Sequence, residues 1–107
     1  MSVERFGLGS AEASLIKDIL SQVLAHKGSW SVYVFGSRST LKHRKYSDID
    51  LWIDSSIPLS EGDLSNLKQK FEDSDLPIKV DIVTAGTCFE PYRDRILGER
   101  QLWLTST

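Results

Sequence analysis

The chain has few of the residues that build disulfide frameworks, metal–thiolate sites or membrane anchors. It has one cysteine, Cys88, and two histidines among 107 residues. A single cysteine excludes an intramolecular disulfide and is typical of a reducing compartment. His26 and His43 have no second ligand at metal-binding spacing. No apolar run approaches the ~18 residues of a membrane span, and no signal-peptide core follows the N-terminus. We therefore expect a cytoplasmic protein that does not bind membranes.

An excess of positive charge is also missing, because the formal net charge is -2. A protein that grips nucleic acid through phosphates needs a basic groove, so we expect no stable nucleic-acid binding and no template-dependent polymerisation. The basic run at 42–45 is either a solvated face or a contact for phosphate or a partner. With 40% hydrophobic and 26% charged residues, the chain is predicted to form one domain over 1–107, with 1–9 as a loose N-terminal leader.

Hydrophobic periodicity predicts alternating helices and strands. Apolar residues at helical spacing follow Ser10, the predicted N-cap, and Ser60 with Asp63 resembles a capping box before a second helix. Strands are predicted over three stretches, 30–35, 48–54 and 78–83. A short terminal strand is expected at 101–104. A turn and short helix are expected at 37–47, and another helix after Pro91. The order α-β-α-β-α-β-α predicts the α/β (α+β) class, with a small mixed β-sheet flanked by helices.

Three aspartates are predicted to point to one place. Asp48 and Asp50 are two apart on a strand, so both leave the same face with Cα atoms ~6.6 Å apart. Asp81 lies between Val80 and Ile82, which should turn into the core and direct the carboxylate outward. Converging carboxylates repel unless a cation lies between them, and oxygen ligands suit Mg²⁺. The pattern predicts a two-ion magnesium site that acts on a nucleoside triphosphate.

A turn suited to phosphate precedes these aspartates. Gly36 ends a predicted strand and permits both a positive φ and a close approach of the backbone to a ligand. Ser37 offers a hydroxyl and an N–H to phosphate oxygens, and the planar guanidinium of Arg38 fits the same oxygens. We therefore predict Gly36, Ser37 and Arg38 as the nucleotide-binding residues.

Two segments together resemble the signature of the DNA polymerase β-like nucleotidyltransferase superfamily. They are Phe35-Gly36-Ser37-Arg38 and then Ser47-Asp48-Ile49-Asp50-Leu51. The chain is most similar to the minimal nucleotidyltransferases, antitoxins that are paired with HEPN-domain toxins. This resemblance implies the nucleotidyltransferase fold, Gly36 and Ser37 on the triphosphate, and Asp48 and Asp50 on both metal ions. It implies that Asp81 binds the ion that activates the acceptor hydroxyl. Many members read Gly-Ser-Arg-Ala-Arg-Gly, and here the last three positions are Ser39, Thr40 and Leu41.

Two functional hypotheses follow. The first is an Mg²⁺-dependent enzyme that transfers AMP from ATP to a hydroxyl of a HEPN toxin and so silences it, as the resemblance implies. The second is a non-catalytic antitoxin that neutralises its partner by direct contact, in keeping with the small size and the altered turn after Arg38. The set of three aspartates favours the enzyme, because a binding module gains nothing from burying unpaired carboxylates.

Overall fold

A computed structural model of the chain describes residues 6–40 and 47–106. The elements in these ranges, in chain order, are α1 (Ser10–Leu24), β1 (Trp30–Phe35), a 3₁₀ turn (Gly36–Arg38), β2 (Ile49–Ser55), α2 (Glu61–Asp73), β3 (Val80–Val83), a second 3₁₀ turn (Glu90–Tyr92), α3 (Arg93–Glu99) and β4 (Gln101–Thr105). The predicted mixed sheet flanked by helices is confirmed. A 3₁₀ turn follows β1 where a short helix was predicted, and the remainder of that prediction, 41–46, lies outside the described residues.

The sheet has the strand order β3-β2-β1-β4. β1 is antiparallel to both β2 and β4, whereas β2 and β3 are parallel and are connected through α2. β2 is therefore an interior strand, with a partner on each side. Because β3 runs in the same direction as β2, residues at matching positions of the two strands project from the same face of the sheet.

One face of the sheet carries the larger core. Ile49, Leu51 and Ile53 of β2 are 0–2% exposed and alternate with residues that project from the other face. They pack in one cluster with buried residues of α1, β1 and α2, among them Leu20, Val34 and Leu67. Burial of this stripe sets the facing of β2, because a slip of one residue would send the aspartates into the core.

The opposite face carries a smaller apolar cluster made of Phe35, Trp52 and Ile96, the last from α3. Phe89 and Tyr92 precede Ile96 at helical spacing, but of these three only Ile96 is buried. Phe89 is 64% exposed and Tyr92 52% exposed, and their rings meet edge to face at 5.1 Å. The 3₁₀ turn that precedes α3 changes the angular spacing of these residues, so the helical stripe does not extend through it.

The prediction of a loose leader is wrong for residues 6–9, while residues 1–5 lie outside the described part. Phe6 and Leu8 are 4% and 2% exposed and belong to the larger core. Gly9, rather than Ser10, is the N-cap of α1, and its N–H donates to Oε1 of Glu12 at 2.9 Å. The segment before α1 is therefore held by burial and by a helix cap.

The capping box predicted for α2 is confirmed. The N–H of Asp63 donates to Oγ of Ser60 at 3.1 Å, and the N–H of Ser60 donates to Oδ2 of Asp63 at 2.8 Å. Such reciprocal bonds satisfy two main-chain donors at a helix start. In the portion of the chain that is described, no helix is long and apolar enough to cross a membrane.

Candidate active site

The parallel pairing of β2 and β3 brings two of the predicted aspartates together. Asp50 of β2 and Asp81 of β3 are direct partners in the register. Neighbouring strands are ~4.8 Å apart, so these two carboxylates leave the same face side by side. Asp48 lies just before β2 and is exposed at the same end of the strand. The spacing argument from sequence thus leads to adjacent carboxylates on one face.

The electrostatics of this cluster centre on Asp50. Burial, followed by the charges of Asp81, Asp48 and Glu99, raises the pKa of Asp50 from 3.8 to about 6. Lys79 lowers it slightly, and the Lys79 Nζ is 3.5 Å from Oδ1 of Asp81 on an exposed surface. An exposed pair of this kind compensates little of the negative charge. The cluster has an excess of negative charge that a cation would relieve.

The glycine turn after β1 lies directly over Asp50. Gly36 has φ +76°, in the left-handed region that favours glycine. A Cβ at this position would overlap Oδ2 of Asp50. Phe35, the residue before it, is the register partner of Asp50 on β1. Glycine is therefore needed both for its backbone conformation and for the space that the carboxylate occupies.

Ser37 and Arg38 differ in what they can offer to a ligand. Among the described residues, the Ser37 hydroxyl has no hydrogen-bond partner, so it can donate to one. Arg38 is only 1% exposed, and its guanidinium donates to the carbonyl of Phe6 at 2.7 Å and to that of Ser47 at 2.9 and 3.1 Å. The prediction that Arg38 binds phosphate stays a prediction, and in this structure its guanidinium is bonded to main-chain carbonyls. Its role is to join the turn to the segments before α1 and β2.

As they stand, the described residues contain no group of three His, Cys, Asp or Glu side chains close enough to hold a metal ion. An apolar cavity of about 480 Å³ lies nearby, between α2 and β3, and reaches the cluster only at Lys79 and Asp81. Its lining is mostly apolar and includes Phe71 and Leu76, together with Lys68 and Lys79. The assignment of the glycine turn to phosphate binding stays a prediction.

The structure adds three consecutive residues that the sequence patterns missed. Oε1 of Glu99 accepts a hydrogen bond from the N–H of Gly36 at 3.0 Å, and Nε2 of Gln101 donates to the carbonyl of Ser39 at 2.7 Å. Between them, Arg100 bonds Asp54 at 3.2 Å. One local signal was available, because Glu99 ends a helix where the dipole disfavours an acid. The partners of these three residues lie 46 to 63 positions away in the chain, so the contacts were not readable from local patterns.

Trp52 and Asp54 complete this face of the sheet. The indole N–H of Trp52 donates to Oδ1 of Asp54 at 2.8 Å, and the guanidinium of Arg100 lies 3.9 Å from the ring centroid of Tyr33. Asp54, at the end of the same strand, is bonded to two side chains. Asp54 is paired with the guanidinium of Arg100, whereas Asp50 lies mainly among other carboxylates.

Comparison with known proteins decides what this site belongs to. The family model described as polymerase β, nucleotidyltransferase, matches residues 16–106, which include the glycine turn and all three aspartates. The chain belongs to the polymerase β nucleotidyltransferase family. This nucleotidyltransferase is 38% identical over 95 residues to the probable protein adenylyltransferase MntA of Haemophilus influenzae, covering 89% of this chain and 81% of the relative. The resemblance to the minimal nucleotidyltransferases and the prediction of an enzyme are confirmed.

Solved structures agree on the fold of this nucleotidyltransferase. A crystal structure of a toxin–antitoxin with AMP-PNP matches with a TM-score of 0.63 and 22% identity, covering 84% of this chain and 74% of the other. A candidate nucleotidyltransferase of Sulfolobus solfataricus matches with a TM-score of 0.54 and 18% identity, covering 99% and 93%. At these identities the likeness concerns the fold, and it confirms the predicted nucleotidyltransferase fold.

Proposed function

We propose that this nucleotidyltransferase transfers AMP from ATP to a hydroxyl group of a partner protein, and that the partner is a HEPN-domain toxin that the transfer silences. The observation that carries the proposal is the direct pairing of Asp50 with Asp81 beneath the Gly36 turn. Carboxylates next to a phosphate-binding turn are the arrangement that phosphoryl-type transfer requires. The similarity to a relative named as a protein adenylyltransferase supports a protein acceptor.

The donor set fits Mg²⁺ in chemistry and in charge. Asp48, Asp50 and Asp81 offer hard oxygen ligands, and the raised pKa of Asp50 reflects carboxylates that lack a compensating cation. In the described residues these side chains are not gathered closely enough to hold an ion. Mg²⁺ commonly takes one or two carboxylates together with substrate phosphates, so Asp50 and Asp81 would hold the ion together with the nucleotide. When bound, Mg²⁺ would offset the negative charge that builds on the phosphate oxygens during transfer.

The chain's own residues position the nucleotide. The Ser37 hydroxyl donates to a phosphate oxygen, while the lack of a side chain at Gly36 lets the turn approach Asp50. The acceptor hydroxyl releases its proton to water and its oxygen forms a bond to the α-phosphorus, while the bond from that phosphorus to the bridging oxygen breaks and pyrophosphate leaves. At pH 7.5 Asp50, with a pKa of about 6, is mostly ionised and carries the charge that the proposed ion requires.

The test is transfer of label from α-labelled ATP, in the presence of Mg²⁺, to a co-expressed HEPN-domain partner. We expect one labelled protein band with the wild type and at least a 100-fold lower rate with Asp50→Asn or Asp81→Asn, the usual effect of removing an essential electrostatic group. Asp75→Asn is the matched control, because Asp75 is exposed and lies in the connection between α2 and β3, outside the paired strands, and it should retain full activity. A fully active Asp50→Asn protein would contradict the assignment.

The same experiment distinguishes the alternative of a non-catalytic antitoxin. That alternative predicts no labelled band, together with a partner that still co-purifies and stays inactive when bound to an Asp48/Asp50/Asp81 triple variant. The ungathered carboxylates are the observation in its favour. Silencing that needs ATP and an intact Asp50 would support the enzyme.

A further inference from the structure

The connection from α3 to β4 is bonded to both ends of the glycine turn. Glu99, the last residue of α3, accepts the N–H of Gly36 at the start of the turn. Gln101, the first residue of β4, donates to the carbonyl of Ser39 at the end of the turn. We call Glu99, Arg100 and Gln101 the clamp. Its two outer members span the turn from a part of the chain more than 60 residues away.

The middle residue of the clamp attaches it to the sheet. The guanidinium of Arg100 bonds Oδ2 of Asp54 at 3.2 Å and lies over the ring of Tyr33 at 3.9 Å and near that of Trp52 at 5.6 Å. An ion pair combined with two aromatic faces restrains the guanidinium more than a surface ion pair does. The clamp is therefore fixed to the same face of the sheet that carries Asp50.

The turn is held to the rest of the protein in two ways, by the Arg38 side chain and by the clamp. The carbonyl of Gly36 accepts from the N–H and Oγ of Ser39 at 3.1 and 2.8 Å, so the turn is closed on itself. These bonds fix the shape of the turn but not its angle to the sheet. The Arg38 guanidinium reaches outward to the carbonyls of Phe6 and Ser47, whereas Glu99 and Gln101 bond main-chain groups at the two ends of the turn.

We infer that Glu99 and Gln101 are positioning residues that orient the Gly36–Ser37 turn toward the phosphates of the nucleotide. Glu99 uses the N–H of Gly36 and so directs the Ser37 hydroxyl, which has no partner in the described residues, toward the ligand. A carboxylate is a stronger acceptor for a main-chain N–H than a neutral group is, which suits a fixed turn. The inference rests on the proposed function, since it names what orients that site.

The test measures ATP affinity by calorimetry, with Mg²⁺ and without any acceptor protein, for Glu99→Ala, Glu99→Gln and Gln101→Ala. We expect Glu99→Ala to weaken ATP binding about tenfold, the effect of losing one charge-assisted hydrogen bond. Glu99→Gln retains an acceptor oxygen and should restore most of the affinity. Asp94→Asn, an exposed acid on the same helix, is the control and should bind ATP as the wild type does.

Two results would overturn the inference. Unchanged ATP affinity in Glu99→Ala would mean that the contact from Glu99 does not orient the turn for the nucleotide. Tighter binding in both Glu99 variants would mean that the carboxylate competes with phosphate for the Gly36 N–H. In transfer assays a positioning role predicts a raised KM for ATP with a smaller change in kcat. Because binding is measured without an acceptor, a failure to find the acceptor protein would leave this test intact.

Discussion

Asp50, which the proposed function requires, should lower the stability of the folded protein. In the folded state its pKa is about 6 instead of 3.8, chiefly through burial and the charge of Asp81. This difference corresponds to about 3 kcal/mol for a group with no solvent screening. Since Asp50 is only half-buried, we reduce the expected cost of its ionisation to about 1–2 kcal/mol. Asp50→Asn removes that cost and should stabilise the metal-free protein at pH 7.5 by this amount.

The pH dependence gives the sign of the effect. A carboxyl with a raised pKa binds more protons in the folded state, so stability falls as the pH rises through the window from about 4 to about 6. Below that window Asp50 is protonated in both states, and the variant and the wild type should be equally stable. Above that window Asp50→Asn should be more stable than the wild type by the full amount of about 1–2 kcal/mol, the cost of ionising Asp50. Urea unfolding with EDTA at pH 3.5, 5 and 7.5 measures this directly.

The control is Asp54→Asn, on the same strand and face. Asp54 accepts from Trp52 and pairs with Arg100, so its loss should leave stability unchanged or lower it by about 1 kcal/mol. Adding Mg²⁺ should stabilise the wild type more than Asp50→Asn, because a ligand stabilises the state that binds it. An Asp50→Asn protein no more stable than the wild type at pH 7.5, or equally stabilised at pH 3.5, would refute the reasoning.

Two further substitutions test the glycine turn and its anchor. Gly36→Ala should unfold at lower urea concentration and lose ATP binding, because a side chain there is strained and overlaps Asp50. Gly98 in α3 has open space around it, so Gly98→Ala should stabilise the protein by about 0.5–1 kcal/mol. Equal stability of the two variants would contradict the steric argument. Arg38→Ala should cost about 2–4 kcal/mol in urea unfolding, because it removes the charged hydrogen bonds to the buried carbonyl of Phe6 and the part-buried carbonyl of Ser47. A loss below about 1 kcal/mol would show that the anchor is dispensable.

The sequence patterns predicted what depends on local periodicity. The alternation of apolar and acidic residues along β2 placed Asp50 on the face opposite Leu51, and burial of the apolar set confirms it. The Ser60 capping box was readable because both of its bonds lie within four residues. The predicted roles of the site residues in metal and nucleotide binding stay predictions.

The patterns failed where a residue's environment comes from distant parts of the chain. Arg38 has the chemistry of a phosphate ligand, but Phe6 supplies a buried carbonyl that takes its guanidinium. Phe6 itself was assigned to a leader, since two apolar residues among glycines show no period, yet it packs against Trp103 at a ring distance of 6.1 Å. Neither contact has a local signature.

By itself the sequence determined the class of fold, the family signature and the face from which Asp48 and Asp50 project, because each is a matter of spacing along one segment. Only the tertiary structure decided that β3 lies parallel beside β2, which makes Asp81 the direct partner of Asp50. It alone also brought Glu99 to Gly36. The physical reason is that pairing and packing across the sheet are fixed by the burial of the whole apolar core, which no single segment encodes.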